Sequence, residues 1–154
     1  MIGVGNDLRG DDAAGLEVVR RLGTLPGVLV SEHHGEAVDL LDRWQDATAV
    51  VLVDTIRSGA APGTIHRIDA SAEAIPSRLR RASSHTIGVG EAIELGRTLG
   101  RLPERVVVYG IEGVRFESGS ELSEEVRAGI GELIDAVARE ARALRSRPST
   151  GTHG

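Results

Sequence analysis

Short apolar runs alternate along the chain with segments whose apolar residues recur at the spacing of a helix. The apolar runs predict five strands, which lie at residues 2–4, 28–32, 49–54, 64–69 and 105–109. The amphipathic segments predict four helices, at residues 11–22, 37–44, 86–99 and about 121–145. The third and fifth runs are apolar at nearly every position, which is typical of parallel strands covered on both faces.

Strands that alternate with helices predict an α/β fold, a three-layer α/β/α sandwich with a mainly parallel sheet. The 154 residues suffice for one domain of ordinary size and are too few to favour two. We therefore expect a single domain over residues 1–145. Residues 146–154 consist mostly of Ser, Thr, Gly and Pro, and we expect a disordered tail there.

The composition argues against several classes of function. Aromatic residues make up only 2% of the chain, too few for a platform that stacks bases or sugars. The formal net charge of -5 argues against nucleic acid or an anionic membrane as the main partner. Cysteine is absent, which removes disulfides, thiolate metal ligands and a cysteine nucleophile. Because there is neither a long apolar run nor a signal-peptide pattern, we expect a cytoplasmic protein.

Polar residues that could carry chemistry follow several of the predicted strands. Asp11 and Asp12 come after the first strand, Asp54 ends the third, and His85 precedes the helix that follows the fourth. Either Asp11 or Asp12 could simply cap the first helix, because Asp is a preferred N-cap residue. Ligands of parallel sheets, however, bind at the carboxyl ends of the strands, so these side chains are expected to converge on one crevice.

The five histidines are not equivalent in this pattern. His33, His34, His66 and His153 lie in a loop, on a probable edge strand or in the tail, and we expect them to be solvated surface side chains. His85 lies at the start of a helix, where the partial positive charge of the helix end disfavours an imidazolium and keeps a ring nitrogen available to a metal.

Three chemistries are compatible with this arrangement. A dinucleotide site would use Gly3 and Gly5, but Leu8 stands where the third glycine of that motif belongs. A phosphoacceptor receiver domain also has an acidic pair and an acceptor Asp, but it needs a Lys and this chain has none. A site with two carboxylates and one imidazole suits a divalent ion such as nickel or zinc.

Four stretches of the sequence carry a family resemblance that runs from residue 1 to about residue 144. They are Gly3-Val-Gly-Asn-Asp-Leu-Arg-Gly-Asp-Asp-Ala-Ala-Gly15, Val53-Asp-Thr-Ile-Arg-Ser-Gly59, Ser84-His-Thr-Ile-Gly88, and Tyr109-Gly-Ile-Glu112 with Leu122-Ser-Glu-Glu-Val126. Together they resemble the hydrogenase maturation endopeptidases, and the first stretch is the most specific.

The resemblance implies a fold, an activity and a partner. It implies a twisted five-stranded sheet between helices, and an aspartic-type endopeptidase that removes the C-terminal extension of a nickel-iron hydrogenase large-subunit precursor. The nickel is carried by that substrate and is sensed by the enzyme. The metal ligands and catalytic residues implied in this chain are Asp12, Asp54 and His85.

The chain departs from the family pattern in two places. Many relatives carry an Asp-Gly-Gly-Thr type segment linked to substrate recognition, where this chain has His33-His-Gly-Glu36. The first strand also lacks the apolar residues that usually precede the Gly-x-Gly-Asn motif. The particular hydrogenase served therefore does not follow from the resemblance.

Several alternatives remain open at the level of sequence. Nickel could act as the Lewis acid, or one carboxylate could act as a general base on water while its neighbour stays protonated. A chaperone that holds the immature subunit without cleaving it, or a metal-dependent hydrolase of a small molecule, would use the same residues. We expect a monomer whose partner is the precursor, with no nucleic acid or membrane involved.

Overall fold

The computed structural model describes residues 1–76 and 89–147. Its strands are β1 (Ile2–Val4), β2 (Ser31–His33), β3 (Ala49–Ile56), β4 (Ile65–Asp69) and β5 (Arg105–Glu112). They form one five-stranded sheet in the order β2-β1-β3-β5-β4. All neighbours in the sheet are parallel except β4, which pairs with β5 in the antiparallel sense. The predicted mainly parallel sheet is confirmed.

Four α-helices connect the strands. They are α1 (Ala14–Leu22), which continues a 3-10 turn at Gly10–Ala13, then α2 (Ala37–Trp44), α3 (Val89–Leu99) and α4 (Glu124–Ser146). The helix predicted at residues 37–44 is confirmed at both ends. Residues 86–88 of the third predicted helix lie outside the described residues. Within the described ranges, no helix is both long and apolar enough to cross a membrane.

The last helix extends into the region predicted to be a tail. Ser123 caps its start, because the Ser123 hydroxyl accepts a hydrogen bond from the N–H of Val126 at 3.3 Å. Its final residue is Ser146, which the sequence assigned to the tail. Residues 148–154 lie outside the described residues, so the disorder expected there stays a prediction.

The two faces of the sheet carry separate cores, which confirms the three layers. Leu52 of β3 points to the layer formed by α2 and α3, and the next residue, Val53, points to the layer formed by α1 and α4. Both side chains are fully buried. Burying a Val or Leu side chain contributes about 1.5–3 kcal/mol, so the aliphatic residues of β3 and β5 stabilise both layers, with Trp44 buried in one core and Tyr109 in the other.

The second strand is shorter than its apolar run and begins later than predicted. The sequence predicted residues 28–32, but the strand spans Ser31–His33. Ile2 pairs with Ser31, so the residues before Ser31 lie beyond the paired part of β1. The chain turns there instead, with the N–H of Val28 donating to the carbonyl of Leu25 at 3.1 Å. Leu29 is consequently 92% exposed.

Replacing Gly15 by alanine is expected to destabilise the fold by about 1–3 kcal/mol. A Cβ at Gly15 would lie 2.4 Å from the carbonyl oxygen of Val4 and 2.4 Å from that of Val53, so α1 would have to move away from β1 and β3. Urea unfolding measures the change. Gly131→Ala is the matched control, because a Cβ at this position in α4 meets nothing within 4 Å and improves the helix propensity by up to about 1 kcal/mol. If Gly131→Ala destabilised the protein as much as Gly15→Ala, the close packing of α1 on β1 and β3 would not explain the requirement for Gly15.

Candidate active site

Two carboxyl groups meet at the carboxyl edge of the sheet. Asp54 lies near the end of β3, Asp12 lies in the 3-10 turn after β1, and both are buried. Burial raises the pKa of Asp54 well above its usual value, and the negative charge of Asp12 raises it further. The N–H of Thr55 donates to Oδ1 of Asp54 at 2.8 Å and opposes that shift. Asp12 and Asp54 therefore lie at the same edge of the sheet, close enough for their charges to interact, and their joint role in one site stays a prediction.

The third residue of the predicted set, His85, lies outside the described residues. Its place in the site stays a prediction. Within residues 1–76 and 89–147, no group of three or more His, Cys, Asp and Glu side chains is arranged to hold a metal. That finding leaves untested the set of Asp12, Asp54 and His85, because one of its members falls in the gap between the two ranges.

Asp11 has a structural role that the sequence did not reveal. It was predicted as a possible helix cap, but neither Asp11 nor Asp12 gives a side-chain cap to the 3-10 turn or to α1. The buried Asp11 carboxylate instead accepts four hydrogen bonds from the segment after β5. The N–H of Ser123 donates to Oδ1 at 2.7 Å, and Oδ2 accepts from Val114 N at 2.8 Å, Arg115 N at 2.9 Å and Ser123 Oγ at 2.9 Å.

The backbone of Asp11 makes two further links to neighbouring segments. Its N–H donates to the carbonyl of Arg115 at 2.7 Å, and its carbonyl accepts from the hydroxyl of Thr55 at 2.5 Å. Three chain segments are thereby joined at one residue: the 3-10 turn, the end of β3 and the loop after β5. Asp12 and Asp54, which are the neighbours of Asp11 and Thr55 in sequence, are held in place by this joint.

Glu112 is a further buried carboxylate at this edge, to which the sequence assigned no role. It ends β5, and only 2% of its surface is exposed. Its Oε2 accepts the N–H of Ser58 at 2.7 Å, and its Oε1 accepts the Ser58 hydroxyl at 2.5 Å and lies 3.3 Å from Nε2 of His66. The sequence feature that could have indicated this role is the position of an acidic residue at the end of a buried apolar strand. Glu112 fixes the segment that follows Asp54.

His33 is not the solvated side chain that the sequence predicted. It is buried at the end of β2, where its Nδ1 accepts the N–H of Gly35 at 2.8 Å. Its Nε2 lies 2.6 Å from Oδ2 of Asp39. Because Nδ1 accepts, the ring proton is on Nε2 and points to Asp39. His34 is exposed as predicted, and the turn at residues 33–36 is ordered by the His33 imidazole. His153 lies outside the described residues.

Gly3 and Gly5 allow the 3-10 turn and α1 to pack closely against β1. A Cβ at Gly3 would lie 2.3 Å from the carbonyl oxygen of Gly15, and one at Gly5 would lie 2.1 Å from that of Asp12. Both contacts are with protein backbone, and the third glycine of the dinucleotide motif is absent from the sequence. Gly5 also allows the turn with Asp12 to approach the end of β1.

A cavity of about 690 Å³ lies at the opposite edge of the sheet. It is bounded by the start of β3, by residues 27–31 and by the end of α4. Neither Asp12 nor Asp54 contributes to its wall. We therefore place the candidate active site at Asp12 and Asp54, whose charges interact, and not in this cavity.

Comparisons with known proteins agree with the fold. A family model described as hydrogenase maturation protease (HycI) matches residues 29–140. The HoxM hydrogenase expression/formation protein of Cupriavidus necator is 28% identical over 151 residues, covering 94% of this chain and 72% of the relative. The HupD protein of Thiocapsa roseopersicina is 25% identical over 142 residues, and this chain covers 63% of its length, less than two thirds.

Solved structures are similar over nearly the whole chain. An endopeptidase from Escherichia coli has a TM-score of 0.78 at 25% identity, with 91% of each chain covered. The hydrogenase maturating endopeptidase HybD from E. coli has a TM-score of 0.71 at 24% identity, with 93% of this chain and 91% of that chain covered, and supports the fold. The family model spans more than half of the sequence, and the chain therefore belongs to the hydrogenase maturation protease family.

Proposed function

We propose that this protein is an endopeptidase that removes the C-terminal extension of a nickel-iron hydrogenase large-subunit precursor after nickel insertion. Membership of the hydrogenase maturation protease family supports the substrate class. The observation that carries the proposal is the pair of buried carboxyls, Asp12 and Asp54, whose charges interact at the carboxyl edge of the sheet. We expect a monomer that acts in the cytoplasm.

The carboxyl pair suits an aspartic-type hydrolysis. Burial and the charge of Asp12 favour the protonated form of Asp54 by raising its pKa. In such a pair, the ionised carboxylate takes a proton from the attacking water while the protonated carboxyl donates to the carbonyl oxygen of the scissile bond. The proton taken from water is then passed to the nitrogen of the leaving amine. In this version the nickel of the substrate serves for recognition alone.

A second version gives the substrate's nickel a chemical role. Asp12 and Asp54 would bind the nickel together with His85, which is assigned by resemblance. Cation binding favours the ionised form of Asp54, so the proton of Asp54 would be released as the precursor docks. Nickel would then polarise the scissile carbonyl. The two versions differ in pH dependence, because only the second requires Asp54 to lose its proton on binding.

Cleavage of a purified precursor tests the proposal directly. The nickel-loaded precursor is expected to lose mass at its C-terminus, and the nickel-free precursor is expected to stay intact. Asp12→Asn should abolish cleavage without unfolding the protein, because an amide is a much poorer ligand and cannot act as the base. Asp46→Asn is the control. Asp46 is exposed at the opposite edge of the sheet, so this variant should cleave the precursor as the wild type does.

The same experiment separates the alternatives. A precursor that is bound and never cleaved would indicate a chaperone. Neither binding nor cleavage, together with hydrolysis of a small ester or amide, would indicate a small-molecule hydrolase. Either outcome would overturn the proposed endopeptidase activity.

A further inference from the structure

Two arginine side chains contact a single aromatic residue, Phe116, one at its ring and the other at its backbone carbonyl. The guanidinium carbon of Arg57 lies 4.3 Å from the centre of the Phe116 ring. The Nε–H of Arg9 donates to the carbonyl of Phe116 at 3.4 Å. Arg9 precedes Asp12 by three positions, and Arg57 follows Asp54 by three positions. The two cations are thus attached to the same two segments that carry the candidate catalytic carboxyls.

Phe116 is held against the frame of the site. A Cβ at Gly113 would lie 2.7 Å from Cζ of Phe116, 2.7 Å from Cγ2 of Thr55 and 3.1 Å from Cβ of Asp11. The ring, the end of β3 and the 3-10 turn therefore surround Gly113. The Phe116 ring is buried, and Arg57 covers it from the solvent side.

Neither guanidinium has a carboxylate within 4.0 Å among residues 1–76 and 89–147. Arg20, by contrast, is fully paired with carboxylates. It binds both oxygens of Asp7 at 2.7 and 2.8 Å and also contacts Glu32 at 2.6 Å. A guanidinium stacked on an aromatic face keeps its N–H groups available at its edge. Arg57 is therefore placed to bind an anion.

The backbone that carries Arg57 is fixed before any ligand binds. Glu112 holds the N–H and the hydroxyl of Ser58, and the N–H of Gly113 donates to the carbonyl of Ile56 at 2.9 Å. The Glu112 carboxylate contacts Ser58, the residue after Arg57, but it is buried and both of its oxygens are engaged by Ser58 and His66. A preorganised cation costs less conformational entropy when it binds its partner.

Exposed apolar side chains flank the two arginines. Leu8 is 70% exposed next to Arg9, and Val114 is 51% exposed two positions before Phe116. The N–H of Gly119 donates to the carbonyl of Leu8 at 2.7 Å, which ties these loops together. A surface that combines cations with apolar side chains beside a catalytic pair fits a polypeptide better than a small ion.

We propose that Arg9 and Arg57 bind the carboxylate of an acidic residue in the precursor, within the polypeptide segment next to the scissile bond. The inference rests on the proposed endopeptidase function and deepens it by naming a feature of the substrate. Arginine forks bind carboxylates through paired hydrogen bonds, which fix orientation as well as charge. The bond orients the segment across Asp12 and Asp54 and offsets the repulsion that the charge of Asp12 exerts on an acidic peptide.

Steady-state cleavage of the nickel-loaded precursor by Arg9→Gln, Arg57→Gln and the double variant tests the inference. The KM of each single variant should rise about tenfold and that of the double variant more, with kcat within about twofold of wild type. The KM of the wild type should rise with added salt, and that of the double variant should change little. Arg43→Gln is the matched control, an exposed arginine at the opposite edge whose loss should leave KM unchanged.

The partner residue is found by neutralising the acidic residues of the precursor's C-terminal segment one at a time. One Asp→Asn or Glu→Gln change should raise the wild-type KM about tenfold and add nothing in the double arginine variant. Arg57→Lys should recover part of the loss, because it restores the charge without the fork. Normal cleavage with an unchanged KM in the double variant, or an equal effect of Arg43→Gln, would overturn the inference alone. A wild type that cleaves no precursor would overturn the proposed function together with it.

Discussion

Asp54→Asn is expected to raise the melting temperature of the protein while abolishing cleavage of the precursor. Burial and the charge of Asp12 raise the pKa of Asp54 in the folded state. As pH rises, the unfolded chain gives up this proton first, so folding loses stability between the ordinary pKa of an aspartic acid and the raised one. At pH values above the raised pKa, the loss of folding stability no longer changes with pH. An asparagine carries no such cost and still accepts the Thr55 N–H.

The size of the gain follows from the linkage between pKa and stability. Each unit by which a pKa is raised costs about 1.4 kcal/mol once the pH exceeds it. We therefore expect Asp54→Asn to be more stable than the wild type near neutral pH and to melt at a higher temperature. Cleavage should fall at least about a thousandfold, because an amide neither ionises nor donates the required proton.

Asp69→Asn provides a control of opposite sign. Burial raises the pKa of Asp69, but hydrogen bonds from Ser71 and the charge of Arg105 outweigh it and leave that pKa lowered. Its ionised form therefore stabilises the fold, and the contribution is lost as pH falls through the lowered pKa. Asp69→Asn should destabilise the protein at neutral pH and leave cleavage intact. Thermal melts of both variants between pH 4 and pH 8 check the prediction, and equal signs would contradict it.

Asp11→Asn is expected to destabilise the protein far more than Asp12→Asn, although the two residues are neighbours. The amide nitrogen of an asparagine would face the N–H groups of Val114 and Arg115, which now donate to Oδ2 of Asp11. Hydrogen bonds to a buried carboxylate contribute about 1.5–3 kcal/mol each, and their donors would lose their acceptor without gaining water. A loss of about 3–5 kcal/mol and a fall of roughly 10 °C in melting temperature follow.

Ser123→Ala helps to separate the contributions within this cluster. It removes the hydroxyl that donates to Asp11 and caps α4 but keeps the Ser123 N–H, so about 1–2 kcal/mol should be lost. Urea unfolding of the three variants is the measurement. If Asp11→Asn proved as stable as Asp12→Asn, the structural role of Asp11 would be wrong.

The alternation of strands and helices was predictable from the sequence because burial imposes it locally. A strand covered on both faces must be largely apolar, and residues 49–53 show this without reference to any other part of the chain. The place of Asp54 at the end of that run was predictable for the same reason. The joint at Asp11 was not, because Ser123 lies 112 positions away and no spacing rule connects the two.

The remaining differences also arise from long-range pairing. The start of β2 is set by the register of Ile2 with Ser31 and not by the apolar run itself. The burial of His33 depends on Asp39 and on the N–H of Gly35, so a polar stretch that resembled a solvated loop has an ordered imidazole inside it. In both cases, the deciding partner lies outside the local pattern.

The joint at Asp11 also sets the order in which the chain can complete its candidate active site during synthesis. The acceptor is made near the beginning, and the donor at Ser123 follows 112 residues later. At about 5–20 residues per second, this gap lasts on the order of 10 s on the ribosome. Until Ser123 is made, the Asp11 carboxylate lacks two of its four donors, since only those of Val114 and Arg115 precede it, and the turn that carries Asp12 is not fully anchored. We therefore expect the candidate active site to be complete only when α4 begins to form.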